Sequence, residues 1–159
     1  MQEGGLRVTS EEFAQGGTIP IACAHSMAGG ENLSPQLSWT PGPPGTKSYA
    51  ITCHDPDAPT GVGFSHWVAF DIDESVHDLD RGLKVPGVSG LTDWGETSYG
   101  GMAPPPGDQP HHYNFTVYAL DTGALGPDEN TTYAKFRFMA RNHVLATGTL
   151  TGLFAVGGR

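Results

Sequence analysis

Apolar and polar positions alternate most clearly in three stretches: Lys47–Asp55 (KSYAITCHD), His66–Ile72 (HWVAFDI) and His112–Leu120 (HYNFTVYAL). Each is short, rich in β-branched and aromatic residues and bounded by turn formers, the pattern of a β-strand. Leu6–Thr9, Ile19–Ala22, Gln36–Thr40 and Thr149–Ala155 are weaker strand candidates. One helix is predicted over Thr132–Ala146. Thr131 or Thr132 caps it, Phe136, Met139, Ala140, His143 and Val144 recur at helical spacing, and Gly148 stops it. The connections Pro56–Ser65, Asp73–Ser98 and Tyr99–Pro110 are long for a small domain, and loops of that length usually carry function. Strands that outnumber one late helix, with no repeat or linker, predict a single mainly-β (α+β) domain.

Composition sharpens this picture. Gly 23 and Pro 13 against 16% charged residues favour many short strands joined by turns over a helical bundle. A chain of 159 residues buries about two-thirds of its unfolded surface, enough for one core. The net charge of −9, with eight Lys and Arg scattered along the chain, excludes the basic stripe that nucleic acid needs. It also argues against docking to an anionic membrane. Any anion must be held by a local device. No apolar run approaches the roughly 20 residues of a membrane-spanning helix. Met1–Ser10 lacks the basic start and apolar stretch of a leader, so the cytoplasm is the expected compartment. Cys23 and Cys53 lie in apolar stretches and read as buried free thiols, not a disulfide framework or zinc site.

Strand parity then assigns faces, because successive side chains point to opposite sides. Tyr49, Ile51, Cys53 and Asp55 share one face. His66 falls with Val68, Phe70 and Ile72, and His111 and Tyr113 fall with Phe115 and Val117. Asp55, His66, His111 and Tyr113 thus close apolar faces at the ends of three strands, where partial desolvation strengthens hydrogen bonds and moves pKa values. His54 and His112 fall on the more polar parity. Taken singly, each has a plain structural reading: a hydrogen-bonded strand-end histidine, a turn-capping Asp before Pro56, a core tyrosine. Together they read as a shared site if the strand ends meet.

These residues also carry a family resemblance. Asp55-Pro56-Asp57-Ala58-Pro59 followed by His66-Trp67-Val68 resembles the first signature of the phosphatidylethanolamine-binding proteins. Tyr99-Gly100-Gly101, Ala103-Pro104-Pro105-Pro106-Gly107 and His111-His112-Tyr113, running on through Phe115 to Asp121, resemble the second. Gly30 to Trp39 is similar to the bacterial and archaeal entry segment, and Asn142 to Ala146 to the C-terminal helix. The resemblance covers roughly residues 6–156. It implies a large antiparallel sheet packed on a smaller one with peripheral helices, and a pocket lined by Asp55, His66, His111 and Tyr113. Asp57, Ala103, Pro104 and Pro105 complete the expected ligand-binding set. Bacterial members are often dimers, which makes a homodimer an expectation. Three departures stand out: His112 where Arg is common, Met102-Ala103 before the prolines, and no long C-terminal tail, so kinase-pathway inhibition is not carried across.

The expected function is binding of a small anion, phosphate or a phospho-headgroup, without cofactor or metal. Imidazole N–H groups of His66 and His111 and the Tyr113 hydroxyl would donate to it, and affinity would be weak and strengthen below roughly pH 6.5. Three alternatives compete. His66, His111 and Asp55 have the composition of a metal triad, though no HxH or HxxxH pair supports one. The same Asp, His, His and Tyr form a competent acid–base set for an epimerase- or cyclase-like enzyme, whereas hydrolase elbows and nucleotide loops are absent. An inhibitor of a protease or signalling protein would need an exposed insertion, for which Asp73–Ser98 is the only candidate.

Overall fold

The computed structural model describes residues 5–126 and 128–157, so the first four residues of Met1–Ser10 lie outside it. Among the described residues the strands are β1 (Val8–Thr9), β2 (Leu37–Trp39), β3 (Ser48–Asp55), β4 (Phe64–Asp73), β5 (Asp78–Leu79), β6 (Val88–Ser89), β7 (His111–Leu120) and β8 (Val144–Phe154). A helix, α1 (Tyr133–Ala140), lies between β7 and β8. A large antiparallel sheet runs β6-β4-β3-β7-β8 and a small one β1-β2-β5. The mainly-β, two-sheet expectation holds. So do the three principal strands, each within two residues of its predicted ends.

The layers follow from parity. Tyr49, Ile51, Cys53, Phe115 and Val117 of the large sheet pack on Val8, Leu37, Trp39 and Leu79 of the small one. The opposite face, Ala50, Val68, Phe70, Tyr118 and Leu120, packs on Phe136 and Ala140 of α1. Both cysteines are buried and free. Burial pushes the Cys23 thiol up to about 12, and burial followed by the nearby Asp55 charge pushes Cys53 well up, so neither forms a thiolate near neutral pH.

Three expectations are corrected. The helix predicted to Ala146 ends at Ala140, because Val144–Phe154 pairs with β7 along its length. Long-range pairing overrides a local helical pattern. Gly148 is no helix stop: a Cβ there would lie 2.2 Å from the Leu6 carbonyl oxygen, and one at Gly152 would lie 2.4 Å from Ile19 Cγ1. Glycine sits in this strand because other segments lie directly against its backbone. Ile19–Ala22 is not a strand but runs into a 3-10 turn at Ile21–Cys23. Asp73–Ser98 is not a free insertion either, since it contributes β5 to the small sheet and β6 to the large one.

Segment 6–19 runs as a strap beside β8. Leu6 N–H donates to Thr147 O (3.0 Å), Gly16 N–H to Thr151 O (2.7 Å) and Ile19 N–H to Leu153 O (2.9 Å), while Leu153 N–H donates to Gly17 O (2.8 Å).

Candidate functional site

β3 is antiparallel to both β4 and β7, so its last residue adjoins the first residues of both neighbours. Asp55 pairs with Phe64, and His54 with Asn114. That topology gathers Asp55, His66, His111 and Tyr113 at one end of the sheet, where they are 2%, 3%, 3% and 1% exposed. The His66 ring meets the Tyr113 ring edge-on at 5.3 Å, and the His111 ring lies 6.4 Å from Tyr113 at 24°.

His66 reaches this site by a route parity does not give. Cys53 pairs with Trp67 but His54 with Ser65, which makes His66 the extra residue of a β-bulge. The bulge turns His66 away from the α1 side, where Val68 and Phe70 lie. A second irregularity follows at Asp71 (φ 58°), after which Ile72 also returns to the inter-sheet core. The predicted grouping of His66 with Val68, Phe70 and Ile72 is therefore corrected.

The hydrogen bonds fix each group's role. Asp55 Oδ2 lies 2.7 Å from His111 Nδ1, and Asp55 Oδ1 accepts from Asp57 N–H at 2.8 Å. His111 Nε2 lies 3.0 Å from Asp108 Oδ2. Burial opposes charge on His111, but bonds to two carboxylates, Asp55 then Asp108, outweigh it and raise its pKa. When His111 is protonated both ring nitrogens donate, and its charge offsets that of Asp55. His66 is different. Its Nδ1 lies 2.8 Å from the Gly100 carbonyl oxygen, which only accepts, so Nδ1 carries the proton and Nε2 of the neutral ring is an acceptor. Burial lowers its pKa against the pull of Gly100 and Asp55. Burial, then the Asp55 charge, keeps the Tyr113 hydroxyl protonated at all ordinary pH.

These side chains border a cavity of about 190 Å³ walled by Ala58, Pro59, Thr60, Phe64, Trp94, Ala103 and Pro105, with Asp55, His66 and Tyr113 as its polar part. His111 stands behind Asp55 as its partner. Pro104 is buried outside the lining. Asp57 turns away, its Oδ2 accepting from the backbone and ring N–H groups of His112 at 2.7 and 2.8 Å. Sequence reasoning missed Phe64 and Trp94. Trp94 lies 5.1 Å from Phe64 and stacks on His25 at 4.3 Å; its signal was the length of Asp73–Ser98. Gly100 admits no side chain, since a Cβ would lie 2.2 Å from Trp94 Cδ1. No group of three His, Cys, Asp or Glu side chains disposed to hold a metal occurs among the described residues. Nor is any described helix long and apolar enough to cross a membrane.

The two histidines give stability opposite pH dependences. An unfolded-state histidine titrates near pH 6.5. The raised pKa of His111 adds stability that is complete below about pH 6.5 and is lost as pH rises through the folded value, with Asp55 and Asp108 as the facing charges. The lowered pKa of His66 subtracts stability as pH falls below about 6.5, because only the unfolded chain takes up that proton. In urea unfolding from pH 5 to 9, His111→Gln is expected to cost about 2 kcal/mol more at pH 5.5 than at pH 9. His66→Gln is expected to flatten the loss on the acid side. Parallel pH profiles for wild type and both variants would refute these assignments.

Comparison with known proteins agrees with this architecture. The family model for phosphatidylethanolamine-binding protein matches residues 9–155. The YbcL protein of Escherichia coli is 39% identical over 165 residues, covering 98% of this chain and 90% of its own. YbhB of the same organism is 37% identical, covering 94% of this chain and all of its own. The YbcL crystal structure superposes with a TM-score of 0.90 at 37% identity over 95% of this chain and 98% of its own. A carboxypeptidase Y inhibitor, solved with its cognate proteinase, shares the fold alone at 20% identity and a TM-score of 0.54, covering all of this chain and 86% of its own. With the family model spanning nearly the whole chain and relatives of this identity along its full length, the chain belongs to the phosphatidylethanolamine-binding protein family.

Proposed function

We propose that the cavity at Asp55, His66 and Tyr113 binds a small anion of the phosphate or phospho-headgroup class, and that the anion enters carrying a proton. The observation that carries this reading is the meeting of a protonated hydroxyl, that of Tyr113, with a neutral imidazole, that of His66, whose Nδ1 is taken by Gly100, at one apolar-walled cavity. The Tyr113 hydroxyl, which Asp55 shares, turns to the anion on binding. No cation lines that cavity, and Asp55 is already satisfied by His111 and the Asp57 N–H. A dianion would have only neutral donors there. A monoanion offers P–OH to His66 and an oxyanion to Tyr113, so both partners are matched. The cavity has room for a headgroup and not for acyl chains.

This reading revises how protonation helps. His66 accepts a proton shared with the ligand instead of donating as an imidazolium. Phosphate monoesters lose their second proton near pH 6. Phosphoethanolamine affinity is therefore expected to rise roughly twentyfold from pH 7.5 to pH 5.5, measured as saturable methyl NMR shifts at Ala58 and Ala103 that His66→Ala weakens. Ethanolamine O-sulfate, which has no such proton, should bind more weakly and with little pH dependence. Phosphoethanolamine affinity that is flat across this range would sink the proposal.

A further inference from the structure

A larger cavity than the first, about 420 Å³, lies elsewhere, between residues 32–34, 82–85 and 97–99 and Trp67. Its size is ordinary for a small-molecule site. The bulge that sends His66 to one cavity leaves its neighbour Trp67 in the wall of the other, and Tyr99 lines this cavity while the next residue, Gly100, holds His66.

The chemistry of the two differs. Trp67, Tyr99 and Val85 are all buried and form an apolar floor, with the Trp67 and Tyr99 rings edge-to-face at 5.3 Å and 80°. Ser34 and Ser89 place hydroxyls in the wall, and Lys84 stands over it. Lys84 is the only charged residue in the lining and enters no ion pair among the described residues. In a chain of net charge −9, Lys84 gives this cavity a local positive charge beside an apolar floor. The long Asp73–Ser98 segment that builds this wall has no role in the phosphate reading beyond Trp94.

We propose that this cavity is a second, separate binding site for a small organic carboxylate with a flat apolar body. The carboxylate pairs with Lys84 and accepts from the Ser89 hydroxyl, and the body lies against Leu33 and Leu83, above the buried Trp67 and Tyr99.

The test is a titration with phenylacetate, read by methyl NMR at Leu33 and Val85 and by the Trp67 indole N–H. Saturable shifts at these groups are expected, weakened about fivefold by Lys84→Gln and by replacing the probe with phenylacetamide. Saturating phosphoethanolamine should leave them unchanged, so the result stands or falls apart from the first site. Absence of saturable shifts there, or shifts indifferent to both Lys84→Gln and loss of the probe's charge, overturns the proposal. Shifts confined to Ala58, Thr60 and Ala103 would also overturn it, by moving the carboxylate to the other cavity.

Discussion

Asp55→Ala is expected to cost about 3 kcal/mol at pH 6, the low end for breaking a buried ion pair. It removes the buried one of the two carboxylates that hold His111 and leaves only the half-exposed Asp108. Asp55 is the sole bonded partner of His111 Nδ1 and also receives the Asp57 N–H, so one truncation orphans a ring nitrogen and a backbone donor. In a domain of this size the loss lowers the melting temperature by roughly 10 °C. The cost should shrink toward pH 9, where His111 sheds its charge through its raised pKa and the orphaned group is neutral. Asp55→Asn keeps an acceptor for the Asp57 N–H and should cost less than half as much. Calorimetry at pH 6 and pH 9 checks this. A cost below about 1 kcal/mol at pH 6 would mean that His111 is not held as an imidazolium.

Phe136→Ala is expected to cost about 3–5 kcal/mol, by a different mechanism. The Phe136 ring is fully buried, stacked with Phe70 at 5.9 Å and edge-on to Tyr118 at 5.2 Å. α1 has eight residues, too few to hold helical form in water unaided, so its packing on the sheet is what keeps it folded. Phe136→Leu retains most of the volume and should cost about 1–1.5 kcal/mol. Because α1 covers the face opposite the inter-sheet core, the folded Phe136→Ala protein should bind phosphoethanolamine with wild-type affinity at 10 °C. Urea unfolding and the titration together test the claim, and a matching loss of affinity would show that α1 supports the cavity.

The strands were legible where β-branched and aromatic residues alternate cleanly, as in β3 and β7. Thr132 was legible as the helix cap, its side chain accepting from Lys135 N–H. The second half of β8 was legible as the weaker candidate Thr149–Ala155, but its start at Val144 was not, because Gly148 answers to the strap, a segment distant in the chain, and so resembles punctuation when read locally. The four residues that meet at one end of the sheet were legible through their motifs. Their meeting was not, since it depends on β3 lying between β4 and β7. His66 was placed rightly by motif and wrongly by parity, for a bulge leaves no mark in a single sequence. Its tautomer was hidden as well, because the proton on Nδ1 is set by a carbonyl 34 residues further along.

The strap at residues 6–19 has a consequence for handling the protein. β8 is eleven residues long and ends the large sheet, so its outer backbone groups would otherwise be open to pairing with another molecule. The strap occupies them at Thr147, Thr151 and Leu153. Trimming the chain from its amino end would therefore do more than shorten it. It would uncover a sticky edge able to recruit a second chain and seed fibrils or strand-swapped oligomers, so an expression tag is better placed at the carboxyl end.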